Sequence, residues 1–224
     1  MPAQLIPAIN VDSFEEVIER VRLIEPLAEK FGIEYLHLDV ADGTFTPNTI
    51  WHEATDLVGF KTSLAIEVHL MITDIDRRIE KWLFDPIKRI IFHLEAGRDP
   101  DLVIEKCRDA KKEVGLAIRP ETAWEKTKPF WDKVDFVQSL SVSPGRAGQR
   151  AHINAVDKVR TLRHACPSCI IEVDGGVNAD NAGELVKAGA NLVVAASAIF
   201  GSEDIEQAIL NLKSKINPME IGSP

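Results

Sequence analysis

The chain has no surplus of basic residues. Lys and Arg number 26 against 35 Asp and Glu, a formal net charge of −9. With no basic block either, a nucleic-acid partner is not expected. Long apolar runs are also missing. The longest, Leu192 to Phe200, falls well short of the ~18 residues that a membrane-spanning helix needs, so no membrane partner is expected. The opening M-P-A-Q-L-I-P lacks a basic segment followed by an apolar one. No secretory leader is expected, and the cytoplasm is the expected location. Cysteine is scarce: three residues suit a reducing compartment better than a disulfide framework. Cys166 and Cys169 form C-P-S-C without thioredoxin-like surroundings or the second half of a zinc site, so they read as two incidental thiols at a helix–strand junction. No G-x-G-x-x-G follows the first apolar segment, which removes the dinucleotide fingerprint.

What the chain does have is alternation. Short apolar segments, at Gln4–Ile9, Ile33–Val40, Leu64–Leu70, Arg89–His93, Val114–Ile118, Val134–Leu140, Ile170–Asp174 and Leu192–Ala195, read as strands. Amphipathic stretches separate them. Ser13 with Glu16 three residues on makes a capping box, and Val17, Val21, Ile24 and Ala28 recur at helical spacing up to Gly32. Asp99-Pro100 opens another helix, and Gly189 closes one. Further helices are expected over His52–Gly59, from Thr73-Asp74 to about Phe84, from Arg119 to near Trp131, and over Ile153–Ala165 and Ile205–Ile216. Eight strand–helix units in 224 residues, with no composition break, predict an α/β fold: a single closed (β/α)₈ TIM barrel with a parallel eight-stranded sheet. It would span residues 1–216, with a frayed tail at 217–224.

Chemistry in such a barrel sits where the strands finish. The segment Y-L-H-L-D-V-A-D-G-T-F-T-P-N, from Tyr35 to Asn48, begins as a strand and ends as a loop. Residues two apart share a face, so His37 and Asp39 point inward and Leu36, Leu38 and Val40 outward. The third strand ends with Glu67 and His69, the fourth with His93 and then Glu95, and the seventh with Asp174. One histidine in a strand is more often a hydrogen-bonded core residue than a ligand. Imidazoles and carboxylates gathered from several strand ends make a divalent-metal site the stronger reading.

Glycine-bearing turns follow the seventh and eighth strands: Asp174-Gly175-Gly176-Val177-Asn178 and Ala195-Ala196-Ser197. In this barrel those loops recurrently bind phosphate through backbone N–H groups, which lets an acidic chain hold an anion. Ser143-Pro144-Gly145-Arg146-Ala147-Gly148-Gln149 reads either as a mobile flap over the substrate, with Arg146 reaching a phosphate, or as a long surface connection.

With these residues in hand, the chain resembles the ribulose-phosphate 3-epimerase family. H-L-D-V-A-D-G-T-F-T-P-N, E-V-H-L-M, S-V-S-P-G-R-A-G-Q and E-V-D-G-G-V-N are similar to four of its motifs, in order, over nearly the whole chain. The resemblance implies that His37, Asp39, His69 and Asp174 hold one divalent metal ion (zinc, iron, manganese or cobalt), and that Asp39 and Asp174 are the acid–base pair. It places Met71, Gly145, Arg146, Ala147, Gly148, Gly175, Gly176, Val177, Ala196 and Ser197 on the substrate and its phosphate. The implied reaction is metal-dependent 3-epimerisation of a ketose phosphate, ribulose 5-phosphate to xylulose 5-phosphate, through an enediolate. Homo-oligomerisation is implied as well.

The chain departs from the family pattern at Ala8, where a serine is usual, and at Ala41 and Leu140, where methionine is. It departs also at Arg146, for an aromatic, and at Ala196, for a glycine. Ala8 and Ala41 are expected to enlarge the pocket, and Ala196 matters if its turn needs a positive φ. Two other readings follow: an epimerase of a hexulose 6-phosphate such as allulose 6-phosphate, and a diverged barrel that binds sugar phosphate without turnover.

Overall fold

The computed structural model describes residues 2–145, 148 and 155–218. Eight strands, β1 (Gln4–Ile9), β2 (Tyr35–Ala41), β3 (Ala65–Met71), β4 (Ile87–His93), β5 (Glu113–Ile118), β6 (Phe136–Leu140), β7 (Ile170–Asp174) and β8 (Leu192–Ala195), close into a barrel in sequence order. Each is hydrogen-bonded in parallel to its neighbours, and β1 closes on β8 with Gln4 opposite Leu192. The α-helices are α1 (Phe14–Phe31), α2 (Ile75–Arg78), α3 (Pro100–Asp109), α4 (Ala155–Ala165), α5 (Ala182–Ala188), α6 (Ser197–Phe200) and α7 (Ile205–Ile216).

The two-residue period of each strand sorts side chains between two cores. Leu36, Leu38 and Val40 face the helices and join the large apolar cluster there, with Val17, Val21 and Ile24 of α1. Each such burial is worth roughly 1.5–3 kcal/mol. Inside the barrel, Ile6, Ala8, Ile91, Phe136, Leu140 and Val194 form a smaller plug. Helix α1 starts as the spacing predicts: Ser13 Oγ accepts from the Glu16 N–H and Glu16 accepts from the Ser13 N–H. It ends on Gly32 at φ 57°.

Three segments are tighter than their sequence suggests. Residues 54–57, 79–82 and 124–130 are 3₁₀ turns. The helix expected from Thr73 to Phe84 shrinks to α2 and one such turn: Asp74 is left-handed and caps nothing, and β4 begins as early as Ile87. In the last of the three, Pro129 has no N–H to sustain an α-helical ladder. The incidental-thiol reading of Cys166 and Cys169 is corrected: they are disulfide-bonded. The C-P-S-C turn between α4 and β7 brings their Cα atoms to 5.4 Å, within bonding range. Arg163 fastens the turn by donating to the carbonyls of Cys166, Pro167 and Cys169. Among the described residues, no helix is long and apolar enough to cross a membrane.

The frayed tail is also corrected at its first residue. Asn217 Oδ1 accepts from the Ala3 N–H at 3.2 Å and Asn217 Nδ2 donates to the Ala3 carbonyl at 2.9 Å, tying the end of α7 to the start of β1. Residues 219–224 lie outside the described residues. Asn217→Ala removes both bonds and is expected to destabilise the fold by about 1–3 kcal/mol, read as a lower urea midpoint at unchanged slope.

Candidate active site and metal centre

Strand register assembles the site. Asp39 on β2 lies opposite His69 on β3, one inward position above the pair His37 and Glu67. Asp174 ends β7 opposite Leu140. One donor atom from each of His37, Asp39, His69 and Asp174 lies within 4.8 Å of all the others. His69 Nδ1 is 2.9 Å from Asp39 Oδ1 and 3.6 Å from Asp174 Oδ2, and His37 Nε2 is 3.4 Å from Asp39 Oδ1. Both imidazoles are buried. His37 Nε2 has no hydrogen-bond partner among the described residues. A buried polar atom left in that state costs about 1–3 kcal/mol. Two imidazole nitrogens and two carboxylates around it suit a divalent cation of the zinc, iron, manganese or cobalt type.

The imidazoles are braced from behind. His37 Nδ1 meets Glu67 Oε1 at 2.7 Å. Glu67 Oε2 accepts from Arg89 Nη1 at 2.7 Å, and Arg89 Nε reaches Glu113 at 2.8 Å. His69 Nε2 meets His93 Nε2 at 2.9 Å, and His93 Nδ1 faces Glu95 at 3.3 Å. Glu95 in turn accepts from the Arg119 N–H and the Thr122 hydroxyl. Burial pushes His93 down to about 4 and leaves it neutral at neutral pH. Its one proton belongs on Nδ1, toward the carboxylate, so its Nε2 accepts from His69 Nε2–H. His69 Nδ1 faces Asp39 Oδ1 and Asp174 Oδ2 and is the nitrogen whose lone pair a metal would take. His93, one of the polar strand ends, thus stands behind His69 rather than among the four donors.

Residues 5–200 match the ribulose-phosphate 3 epimerase family. The chain belongs to that family. It is 34% identical over 188 residues to a ribulose-phosphate 3-epimerase of Aquifex aeolicus, covering 82% of this chain and 85% of that one. It is 33% identical over 222 residues to the chloroplastic ribulose-5-phosphate-3-epimerase of Arabidopsis thaliana, covering 96% and 78%. Among solved structures, 3-hexulose-6-phosphate synthase from Salmonella typhimurium superposes with a TM-score of 0.68 at 14% identity, covering 96% and 98%. At that identity the likeness shows the fold alone.

In this epimerase-family barrel one cleft opens above the four donors. Met71, Gly145, Gly148, Gly175, Gly176, Val177, Ala196 and Ser197 line it with Asp39, His69 and Asp174. Arg146 and Ala147 lie outside the described residues. Gly175 sits at φ 99°, and a Cβ there would fall 2.4 Å from Val142 Cγ2, so glycine is required. Ala196 is at φ −103°, so its turn demands no glycine. Ala41 is fully buried in a small cluster with Ile50 and Met71. It does not itself line the cleft, although its neighbour Met71 does. Ala8, opposite His37, lines a neighbouring hollow with Arg20 and Phe200.

Asn10, Arg89 and Glu172 escaped the motif reading. Glu172 had a signal, because it stands two residues before Asp174 on the same strand face, as His37 does before Asp39. Arg89 opens the fourth predicted strand, where an inward cation has no periodic mark. Asn10 carries no mark beyond its place at the end of β1.

The two carboxylates titrate apart. Burial favours the neutral form of Asp39, but the His37 and His69 imidazoles outweigh it and hold that carboxyl far below the usual range. Asp174 is raised, first by burial and then by the charge on Asp39. Groups behind them carry a pH signature of folding. His93 titrates near its ordinary 6.5 when unfolded and about 4 when folded. The unfolded chain binds the extra proton, so stability falls as pH drops from about 6.5 toward about 4. Burial opposes but hydrogen bonds from His93 and Thr122 prevail at Glu95, which is held at about 2 against an ordinary 4.5. Its contribution is present above about 4.5 and is lost as pH falls toward about 2. Urea midpoints should decline in both windows, and His93→Gln should flatten the upper one.

Proposed function

We propose that this chain is a metal-dependent ketose-phosphate 3-epimerase that interconverts ribulose 5-phosphate and xylulose 5-phosphate. One divalent cation would be held by His37, Asp39, His69 and Asp174. The observation that carries the reading is the convergence of one donor atom from each of these four side chains to within 4.8 Å of one another, with His37 Nε2 lacking a hydrogen-bond partner among the described residues.

Inversion at C3 needs a base on one face of the carbon and an acid on the other. β1 and β8 separate the strands that carry Asp39 and Asp174, so the two carboxyls approach a substrate from different sides. Asp39, ionised, removes the C3 proton, and Asp174, protonated, returns one to the opposite face. The turnover ends with the protons exchanged between them, which arms the site for the other epimer. When bound, the cation supplies Lewis-acid polarisation of the adjacent carbonyl and offsets the charge that develops there. Glu67 and His93 keep the His37 and His69 rings oriented. A proton on His37 and a cation are alternatives at the same Nε2 atom, so loading releases protons.

The turns at Gly175–Val177 and Ala196–Ser197 supply backbone N–H groups for the phosphate without requiring lysine. That anchor contributes binding energy remote from the reacting carbon. A six-carbon substrate loses one argument here, because Ala41 does not itself line the cleft. A barrel that binds without turnover gives no account of two carboxylates shifted in opposite directions.

The test is exchange of the C3 proton with solvent deuterium, on protein loaded in turn with zinc, manganese, iron and cobalt. Incorporation from ribulose 5-phosphate is expected, with kcat/KM above that for allulose 6-phosphate. Asp39→Asn and Asp174→Asn should each lower kcat by roughly 10³-fold. No exchange with any pentulose or hexulose phosphate at any metal loading would end the proposal.

A further inference from the structure

Strand β1 contributes none of the four donors, yet it delivers a polar side chain to the cleft. Ile9 packs outward in the large apolar cluster. Asn10, the next residue, lines the cleft. Its Nδ2 donates to Asp39 Oδ2 at 2.8 Å and to the Gly145 carbonyl at 3.2 Å. The two oxygens of Asp39 are thereby given separate surroundings. Oδ1 takes His69 Nδ1 at 2.9 Å and faces His37 Nε2 at 3.4 Å. Oδ2 takes the Asn10 amide.

A carboxylate on a single bond rotates, and any turn short of a half-revolution would swing one oxygen off the donor set and the other off the Asn10 amide. A donor fixed by the end of β1 prevents it. The amide need not block proton transfer, since each carboxylate oxygen has two lone pairs. The second N–H bond falls on Gly145, the loop residue after β6. That glycine is held at φ 129°, and a Cβ on it would lie 2.3 Å from Asn48 Oδ1. Its backbone is therefore confined between Asn10 and Asn48. One neutral side chain touches both the acid–base group and the loop that borders it, while Ala8, two residues earlier, offers no polar atom.

We infer that Asn10 is a positioning residue for the epimerisation: its amide fixes Asp39 with Oδ1 toward the donor set and Oδ2 toward the cleft, and holds Gly145 in register with that carboxylate. The inference rests on the acid–base role proposed for Asp39. Its consequence is a kcat effect, because a carboxylate that must find its orientation in each turnover loses effective molarity rather than affinity.

The experiment compares wild type, Asn10→Ala and Asn10→Asp, each loaded with cobalt and assayed on ribulose 5-phosphate. Asn10→Asp keeps the shape and replaces the donor by an anionic acceptor, so wild-type behaviour in it would mean that the amide donor is not needed. Both variants are expected to lose about 30-fold in kcat with KM within about threefold. Both should retain one cobalt per chain and show a shifted visible cobalt spectrum, because the Asp39 ligand is reoriented. Wild-type kcat and spectrum in Asn10→Asp would overturn the inference. A raised KM with kcat intact would also overturn it, since Asn10 would then bind substrate instead of orienting Asp39. Inactivity of the loaded wild type would strike the epimerase reading, and an unchanged cobalt spectrum in the variants would still decide against Asn10.

Discussion

The structure depends on one constraint: polar atoms placed inside a closed parallel barrel must find partners there. A barrel filled only by Ile6, Ile91 and Val194 would need nothing more. The inward positions of β2, β3 and β7 instead carry His37, Asp39, Glu67, His69, Glu172 and Asp174. Most of their atoms pair with one another or with Arg89, His93 and Gln138. Two buried atoms of this set, His37 Nε2 and Glu172 Oε2, find no hydrogen-bond partner among the described residues, and His37 Nε2 is the one that faces the other three donors. Part of the cost of burying polar groups thus falls where a cation would offset it.

The same constraint separates the carboxylates. Asp39 has two imidazoles and the Asn10 amide around it and is stabilised as an anion. Asp174 has mainly burial and the neighbouring negative charge, which shift it the other way, toward its neutral form. Glu172, deeper in the barrel, is also raised, by burial and by Glu67. It accepts from Gln138 Nε2 at 2.9 Å. Inversion at carbon calls for two similar groups in opposite protonation states, and the strands they stand on shift these two in opposite directions.

Much of this was legible in the residue order. Eight apolar segments with caps and stops between them mark the barrel, because strand and helix periods are local properties. The i, i+2 spacing of His37 and Asp39 gives their shared face for the same reason. What was not legible depends on contacts remote in sequence. The bond from Asn10 to Asp39 joins β1 to β2, and Arg89 bridges Glu67 and Glu113 on the flanking strands. The clasp of Asn217 on Ala3 spans nearly the whole chain. The 3₁₀ turns at 79–82 and 124–130 were misjudged where amphipathic spacing outlasted the room before the next strand, or where Pro129 removed a donor. Cys166 and Cys169 were misjudged because a four-residue turn decides their distance, and spacing alone does not.

The central claim is that four side chains from three strands share one cation. X-ray absorption at the metal edge of the loaded protein tests it without reference to turnover. A mixed nitrogen and oxygen shell at about 2.0–2.2 Å, with outer scattering from two imidazole rings that weakens in His37→Ala and in His69→Ala, is the predicted result. A shell of water-like oxygens with no imidazole signature would contradict the account.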